Sequence, residues 1–290
     1  MQRFTFAKRN ILDKAQKSLK SLATTKFYIN TYLLSKINMP GPDVSVVSYP
    51  KCGRTWLRMM LINYYHELGV YATRFTDSSL LQTDKQRIVK FDHDHGNWVP
   101  APKSYKNIQV NKAKFQNHPV IFLIRHPGDV LVSSWYHLKY RENIYTGTLS
   151  EFIREELTGI RKVVEFMNRW LEFEDASEPY MALPYETMKT VPKASLEKVL
   201  EFLDTPPDKA LIKKAVKASN FKSMKQMEAS GSLKEPWMQP GSKQSEHSMK
   251  IRSGKVEAYR EEMQPEDIKL VRSTIEQYGH PKLKALYLYH

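Results

Sequence analysis

The distribution of apolar and polar positions predicts short buried strands, each followed closely by a helix. A β-branched run begins at Val44 and favours a strand. Pro50 ends this strand, because proline donates no hydrogen bond to a sheet. Apolar residues then recur at helical spacing from Trp56 to Leu68. The sequence VIFLI, which begins at Val120, is continuously apolar, as central parallel strands are.

The rest of the chain extends this pattern of alternating strands and helices. Asp129 follows the second strand at a position typical of a helix-capping acid. Further strands are predicted over residues 87–91 and 180–183, and further helices over 151–172, 195–203 and 209–219. Strands that alternate with helices predict an α/β fold, a single domain whose central sheet is mostly parallel and flanked by helices.

A basic segment precedes the first predicted strand. Residues 1–39 contain eight lysines and arginines against one acid, and an apolar stripe at helical spacing. Such a helix can bind a membrane peripherally or act in targeting, and the preferred interpretation is a solvated helix packed on the domain. A proline-containing linker closes the segment. The predicted division is therefore an N-terminal segment over 1–43 and a domain over 44–290.

Composition limits the possible partners and the compartment. The formal net charge is +14 and the pI is near 9.5, so the surface attracts anions. Cys52 is the only cysteine, which excludes an internal disulfide and predicts a reducing, cytoplasmic compartment. No apolar run approaches the ~18 residues of a membrane-spanning helix. The sequence predicts a soluble or peripheral protein.

The turn between the first strand and its helix has the chemistry of a phosphate-binding site. A strand, a glycine turn and a helix together direct free backbone N–H groups and a positive helix end at an anion. Lys51 adds a point charge, Arg54 a forked donor and Thr55 a hydroxyl. The kinase-type loop GxxxxGK[ST] is absent, because Lys51 precedes Gly53, the one glycine of the turn.

Two motifs resemble those of sulfotransferases that use 3′-phosphoadenosine-5′-phosphosulfate (PAPS). The sequence YPKCGRTW resembles their 5′-phosphosulfate loop YPKSGTTW, and RHPGDVLVSSWYH resembles their 3′-phosphate motif RxPxDVxVSxxxH. The resemblance covers about residues 44–260. It implies a P-loop-like nucleotide-binding core, in which the 5′-phosphosulfate contacts Lys51, Cys52, Gly53, Arg54 and Thr55, adenine stacks on Trp56, and Arg125 and Ser133 hold the 3′-phosphate.

Three shorter segments add to the resemblance. YETM resembles the family's YEDM and implies that Tyr185 contacts adenine; SNFKSMK resembles TSFxxMK and implies that Ser219 and Phe221 touch the nucleotide. RSGK departs from RKGxxG in two positions, so Arg252 and, less completely, Gly254 carry the 3′-phosphate role. The family's KxxxTVxxxE dimer motif does not follow, which leaves the oligomeric state open.

A general base is expected after the strand over 87–91, because catalytic groups gather at the carboxyl ends of parallel strands. The sequence FDHD resembles the F-[TS]-H-D of microbial family members and implies that His93 is this base. His95 is the alternative. An ordinary histidine pKa near 6.5 suits proton abstraction. A metal site is not predicted, because neither a cysteine nor a third suitably spaced ligand is present.

These features predict transfer of a sulfuryl group from PAPS to a hydroxyl or amine of a small-molecule, lipid or carbohydrate acceptor, without a metal. Two alternatives stay open: a P-loop-type nucleotide or small-molecule kinase, and a non-catalytic basic protein that binds anionic polymers. The first lacks GxxxxGK[ST] and a Mg²⁺-binding acid, and the second depends on charge alone; a nucleic-acid partner is not expected.

Residues 228–250 are rich in Gly, Ser and Pro and predict a mobile lid over the site.

Overall fold

A five-stranded sheet lies at the centre of the computed structural model, which describes residues 43–70, 80–84, 87–98, 103–110, 115, 118–174, 179–231 and 246–288. The strands are β1 (Val44–Ser48), β2 (Leu80–Gln82), β3 (Ile88–Asp92), β4 (Val120–Ile124) and β5 (Tyr180–Pro184). Their order is β2-β3-β1-β4-β5. All neighbouring pairs are parallel except β2 with β3, so the antiparallel strand is at one edge.

Helices follow and flank the strands. They are α1 (Arg54–Glu67), α2 (Pro127–Tyr136), α3 (Leu149–Arg154), α4 (Ile160–Phe173), α5 (Tyr185–Thr190), α6 (Pro192–Phe202), α7 (Lys209–Ala218), α8 (Phe221–Ser230), α9 (Tyr259–Glu262), α10 (Pro265–Tyr278) and α11 (Pro281–Tyr287). One turn of π-helix, His137–Arg141, continues α2. Short 3₁₀ turns lie at Asp94–Gly96, Tyr105–Asn107 and Glu246–Ser248.

The core forms where helices cover the sheet. Every residue of β1 and β4 is buried, which explains their uninterrupted apolar sequences. The fully buried Trp170 of α4 stacks on Phe122 of β4, with ring centroids 6.0 Å apart. One hydrophobic cluster joins residues from Val44 to Leu283. The predicted α/β fold with a mostly parallel central sheet is therefore confirmed.

The parallel strands place four chain segments at one edge of the sheet. β1 leads into the turn before α1, β4 into α2, and β5 into α5, while the 3₁₀ turn at Asp94–Gly96 follows β3. Because β3, β1, β4 and β5 are adjacent and parallel, their carboxyl ends lie side by side. Ligands of open α/β sheets bind at this edge.

The structure differs from the sequence predictions in two helices. The predicted helix over 151–172 is two helices, because Glu155 is extended after α3 and Gly159 caps the start of α4. Asp129 does not cap α2. The side chain of His126 is the cap, and its ring nitrogen accepts a 3.1 Å hydrogen bond from the amide of Gly128.

The predicted N-terminal segment over 1–43 lies outside the described residues except for Asp43, and its role stays a prediction. Within the described ranges no helix is long and apolar enough to cross a membrane.

Candidate active site

The turn between β1 and α1 has a backbone that favours anion binding. Lys51 has a φ of 74° and Gly53 a φ of 97°, so both lie in the left-handed region. A Cβ on Gly53 would be 2.6 Å from Cδ2 of Tyr185, which requires glycine for space as well as for φ. No side chain of the described part of the protein caps α1, which leaves its first amides available to a ligand.

A cavity lies beside this turn, at the carboxyl edge of the sheet. It brings together all the predicted site residues except one, and its lining includes Lys51, Gly53, Arg54, Thr55, Trp56, His93, Arg125, Ser133, Tyr185, Ser219, Phe221, Arg252 and Gly254. The exception is Cys52, whose side chain is fully buried behind the turn. Burial raises the pKa of its thiol, so the side chain is an inert part of the core.

Several cations line the cavity close to the turn between β1 and α1. Burial, together with the charges of Arg141 and Arg125, lowers the pKa of Lys51 to about 8. Burial also lowers the pKa of Arg54 to about 10. Nη1 of Arg54 and Nε of Arg125 are buried and have no hydrogen-bond partner within the described ranges. Buried donors of this kind normally have a partner, so an anion in the cavity would satisfy them.

Arg125 is held rigidly between two segments of the chain. Its Nη1 donates to the carbonyl oxygen of Lys51 at 3.1 Å, and its Nη2 donates to that of Lys255 at 3.0 Å. The guanidinium also lies 4.4 Å from the ring centroid of Tyr185. Arg125 therefore links the turn between β1 and α1 to the C-terminal part of the cavity wall.

An aromatic wall forms the next part of the cavity. The rings of Trp56 and Tyr185 meet edge to face with centroids 5.8 Å apart. The ammonium of Lys189 lies 5.7 Å from the Trp56 ring and 6.0 Å from the Phe221 ring. A Cβ on Gly254 would be 2.7 Å from Cδ2 of Phe221, so the backbone passes directly over this ring. Flat apolar faces beside cations suit a nucleobase with phosphates.

The cavity wall also includes Ser133 of α2 and Arg252. The guanidinium of Arg252 lies 3.9 Å from the ring centroid of Tyr136, and its Nη1 forms a 2.8 Å ion pair with Glu262. Ser219 is buried, and its hydroxyl accepts a 2.8 Å hydrogen bond from the side-chain amide of Asn63. Contacts within the protein therefore orient the side chains of Arg252 and Ser219.

His93 follows β3 and lines the cavity. Its Nδ1 lies 2.9 Å from the carbonyl oxygen of Ser48, which can only accept, so Nδ1 carries the proton. Nε2 of the neutral ring therefore has a free electron pair. Burial and the charge of Arg54 lower the pKa of His93 well below 6.5, so the expectation of an ordinary pKa is wrong. The side chain of His95 lies outside the described residues, and the choice between the two histidines stays a prediction.

The sequence analysis missed several residues of the cavity wall. Trp98, His137, Lys189 and Lys250 also line it. His137 is the last residue of the motif RHPGDVLVSSWYH, and its ring lies 5.6 Å from that of Trp98. The terminal histidine of that motif was a signal for His137. No local pattern distinguished Lys250 from the other charged residues of its loop-like segment.

The predicted lid over 228–250 is wrong at both of its ends. Glu228 belongs to α8 and is fully buried. Its carboxylate accepts hydrogen bonds from the amides of Lys250 and Ile251, at 2.6 and 2.8 Å, and from Nη1 of Arg141 at 2.9 Å. This network fixes the segment that re-enters the cavity. Residues 232–245 lie outside the described residues.

No group of three or more His, Cys, Asp or Glu side chains in the described part of the chain is arranged to hold a metal ion. The expected absence of a metal stays a prediction.

Comparison with known proteins identifies the family of the chain. The chain is 27% identical to sulfotransferase 1B1 of Mus musculus over 225 residues, which cover 69% of this chain and 71% of that protein. It is 26% identical to cytosolic sulfotransferase 7 of Arabidopsis thaliana over 185 residues, covering 57% of this chain and 56% of that protein. Its identity to the amine sulfotransferase of Oryctolagus cuniculus is 25% over 237 residues, with 74% and 75% covered.

Solved structures show the same fold. A mouse sulfotransferase, SULT7A1, complexed with PAP superposes with a TM-score of 0.60 at 19% identity, covering 89% of this chain and 93% of that one. A retinol dehydratase in complex with androsterone and PAP gives a TM-score of 0.55 at 17% identity, covering 84% and 85%. The family model of the sulfotransferase domain matches residues 41–286. The chain therefore belongs to the sulfotransferase family.

Proposed function

We propose that this sulfotransferase transfers the sulfuryl group of PAPS to a hydroxyl or amine of its acceptor. The observation that carries the proposal is a pair of buried guanidinium donors without hydrogen-bond partners in the described residues, Arg54 Nη1 and Arg125 Nε. Both arginines line the cavity, and the helix that begins beside it, α1, has no side-chain cap. A doubly anionic nucleotide supplies the missing partners. The PAP bound in the mouse sulfotransferase and in the retinol dehydratase supports this donor class.

The cavity accommodates the donor in three parts. The 5′-phosphosulfate binds Lys51, Arg54, Thr55 and the backbone of Cys52 and Gly53. Adenine lies against the wall of Trp56, Tyr185 and Phe221, next to Ser219, and the 3′-phosphate binds Arg125, Ser133, Arg252 and the backbone of Gly254. The 5′-phosphosulfate and the 3′-phosphate thus bind different cations, which come from the turn after β1 and from the C-terminal part of the cavity wall.

The reaction is an in-line displacement at sulfur. The acceptor oxygen or nitrogen forms the new bond to sulfur while the bond from sulfur to the bridging oxygen breaks, and 3′,5′-adenosine bisphosphate leaves. Lys51 neutralises charge that develops on the leaving phosphate. Nε2 of His93 takes the acceptor proton on its free electron pair, and the lowered pKa keeps the ring neutral, and so able to accept a proton, in the free enzyme at pH 7. The protein's lysines and arginines supply the positive charge, so no metal enters this scheme.

The acceptor enters from the side of His93, where Trp98 and His137 line the cavity. The indole nitrogen of Trp98 donates to the hydroxyl of Tyr49 at 3.2 Å, so its ring offers an apolar face rather than a donor. This arrangement suits a small molecule with a flat or apolar body beside its hydroxyl or amine. A cytoplasmic location is part of the proposal, supported by the likeness to the cytosolic sulfotransferase of Arabidopsis thaliana.

A thermal-shift experiment tests the donor. We expect 3′,5′-adenosine bisphosphate to raise the melting temperature far more than ATP or AMP does, because neither ATP nor AMP has a 3′-phosphate. The shift should be the same with and without EDTA. Equal stabilisation by Mg·ATP would favour the kinase instead. Labelled PAPS assayed against phenols, alcohols, amines, sugars and lipids then identifies the acceptor class.

A further inference from the structure

Lys162 is a fully buried lysine that the proposed donor site does not include. It lies in the first turn of α4 and is 0% exposed. Its Nζ donates a 3.1 Å hydrogen bond to the carbonyl oxygen of Asn97, which is its one hydrogen bond within the described ranges. Burial lowers the pKa of the ammonium to about 8, because the charge loses its hydration in the core. Lysine side chains are almost never fully buried unless they are paired, so the bond to Asn97 indicates a specific role.

The partner of Lys162 belongs to a segment whose two ends line the cavity. Asn97 directly precedes Trp98, and His93 lies four residues before Asn97 in the sequence. Both His93 and Trp98 are part of the cavity wall. We call residues 93–98 the acceptor segment, because the proposed function assigns this side of the cavity to the acceptor.

The backbone of the acceptor segment needs support from the rest of the domain. Asp94 has a φ of 45°, in the left-handed region that residues other than glycine rarely adopt. Such conformations persist where contacts with the surrounding structure hold them. A Cβ on Gly96 would be 3.1 Å from Cε2 of Phe166 and 3.2 Å from Cδ2 of Tyr49, so the segment packs closely on both of these side chains. The position of the segment therefore depends on residues outside it.

The place of Lys162 on α4 suits it to hold this segment. Lys162 and Phe166 are four residues apart in the helix, so they project from the same face, and both contact the segment. The bond from Lys162 fixes the backbone immediately before Trp98, while the indole N–H of Trp98 donates to the hydroxyl of Tyr49 at 3.2 Å. The tryptophan is thus held once through the backbone that leads into it and once through its ring.

We infer that Lys162 is a positioning residue of the acceptor site, which keeps the Trp98 ring in the cavity wall by holding the carbonyl oxygen of Asn97. This inference rests on the proposed function, which places the acceptor on that side of the cavity. A positioning role separates two effects of a substitution. Removal of the ammonium removes its desolvation cost together with its hydrogen bond, so the stability of the domain should change little. The Trp98 ring, in contrast, loses the contact that fixes the backbone before it.

The five tryptophans of the chain provide the readout, because 5-fluorotryptophan can replace them and be followed by ¹⁹F NMR. Single substitutions by phenylalanine assign the signals. In Lys162→Met, whose side chain is uncharged and of similar length, we expect the Trp98 signal to shift or broaden. The signals of Trp170, on the same helix, and of Trp56, in the proposed adenine wall, should stay in place. The melting temperature should stay within about 4 °C of the wild type, and the affinity for 3′,5′-adenosine bisphosphate within about twofold.

The outcomes separate this inference from the proposed function. An unchanged Trp98 signal in Lys162→Met would overturn the inference, and so would an equal shift of the Trp170 signal, because the substitution would then disturb α4 as a whole. Lys213→Met, at an exposed position of α7, is the matched control and should leave all signals in place. If Lys162→Met does not fold, Lys162→Gln, which is shorter and uncharged, replaces it with the same expected and overturning results. A wild-type protein that does not bind the bisphosphate would instead overturn the proposed function, and the comparison of the fluorine signals would still test the contact.

Discussion

Two of the regions that supply cations to the cavity are built in different ways. The phosphate turn, Lys51 to Thr55, obtains its shape from adjacent residues: a strand, a left-handed glycine and an uncapped helix start. The strap, which we define as residues 248–255, obtains its shape from distant ones. Asp129 accepts hydrogen bonds from Glu257 and Tyr259, just beyond the strap, at 2.9 and 3.0 Å, and Glu228 holds its beginning.

This difference shows that the turn is shaped by its own sequence neighbours, whereas the strap takes its position only after distant parts of the domain have packed together. Arg125 joins the two, because it donates to carbonyl oxygens of Lys51 in the turn and Lys255 in the strap. Loss of a strap contact should therefore weaken the donor site without abolishing the turn. Loss of a turn residue should remove the site itself.

The largest expected effect comes from His93, which is held by the carbonyl oxygen of Ser48 at the end of β1. His93→Ala should lower turnover of labelled PAPS by roughly 10² to 10⁴, the usual contribution of a positioned general base. Affinity for 3′,5′-adenosine bisphosphate should stay within a few-fold, because no donor contact is removed. His95→Ala is the control: an inactive His95 variant beside an active His93 variant would move the base by two residues.

Gly53→Ala tests whether the turn is as local as proposed. Its left-handed φ and its 2.6 Å approach to Tyr185 both oppose a side chain. We expect a loss of unfolding free energy of about 2–3 kcal/mol, from the φ strain together with a displaced ring, and at least tenfold weaker bisphosphate binding. Denaturation and calorimetry measure the two effects.

Gly69→Ala is the matched control for this substitution. Gly69 also has a left-handed φ, of 77°, but a Cβ there meets nothing within 4 Å. Gly69→Ala should lower the free energy of unfolding by about 1 kcal/mol, from the φ strain alone, and leave nucleotide binding unchanged. Equal effects of the two substitutions would show that close packing against Tyr185 contributes nothing.

The same contrast explains how much was predictable from sequence. The turn and the alternation of strands and helices depend on neighbouring residues and on apolar runs, so the motif at Lys51 to Trp56 and the α/β fold could both be predicted from the sequence. The roles of Asp129 and Glu228 were not, because their backbone partners lie 128 and 22 residues away. Lys250 lies in a segment of loop-like composition, and only Glu228 shows that its backbone is fixed.

Glu228→Gln tests the strap and should spare the turn. The neutral amide keeps the shape of the side chain but weakens hydrogen bonds from two backbone amides and a guanidinium, which leaves Arg141 without its buried counter-charge. We expect a loss of about 1–3 kcal/mol of unfolding free energy and a several-fold weaker bisphosphate affinity.

Glu266→Gln, at an exposed position of α10, is the matched control for Glu228→Gln and should change neither quantity. If Glu228→Gln binds the bisphosphate as tightly as the wild type does, the strap does not contribute to donor binding. A complete loss of binding would show that the turn depends on the strap.

The smallest expected effect is a pH dependence that links the two regions. Burial, together with the charges of Arg141, Arg125 and the strap residue Arg252, lowers the pKa of Lys51 to about 8. A bound phosphate favours the charged lysine and so raises this pKa. Below pH 8 the free protein already carries the proton. Above it, binding must take up a proton, and affinity for 3′,5′-adenosine bisphosphate should fall by about twofold between pH 7 and pH 8. Lys51→Met should bind more weakly at pH 7 and show a flatter profile, whereas an unchanged slope in that variant would assign the titration to another group.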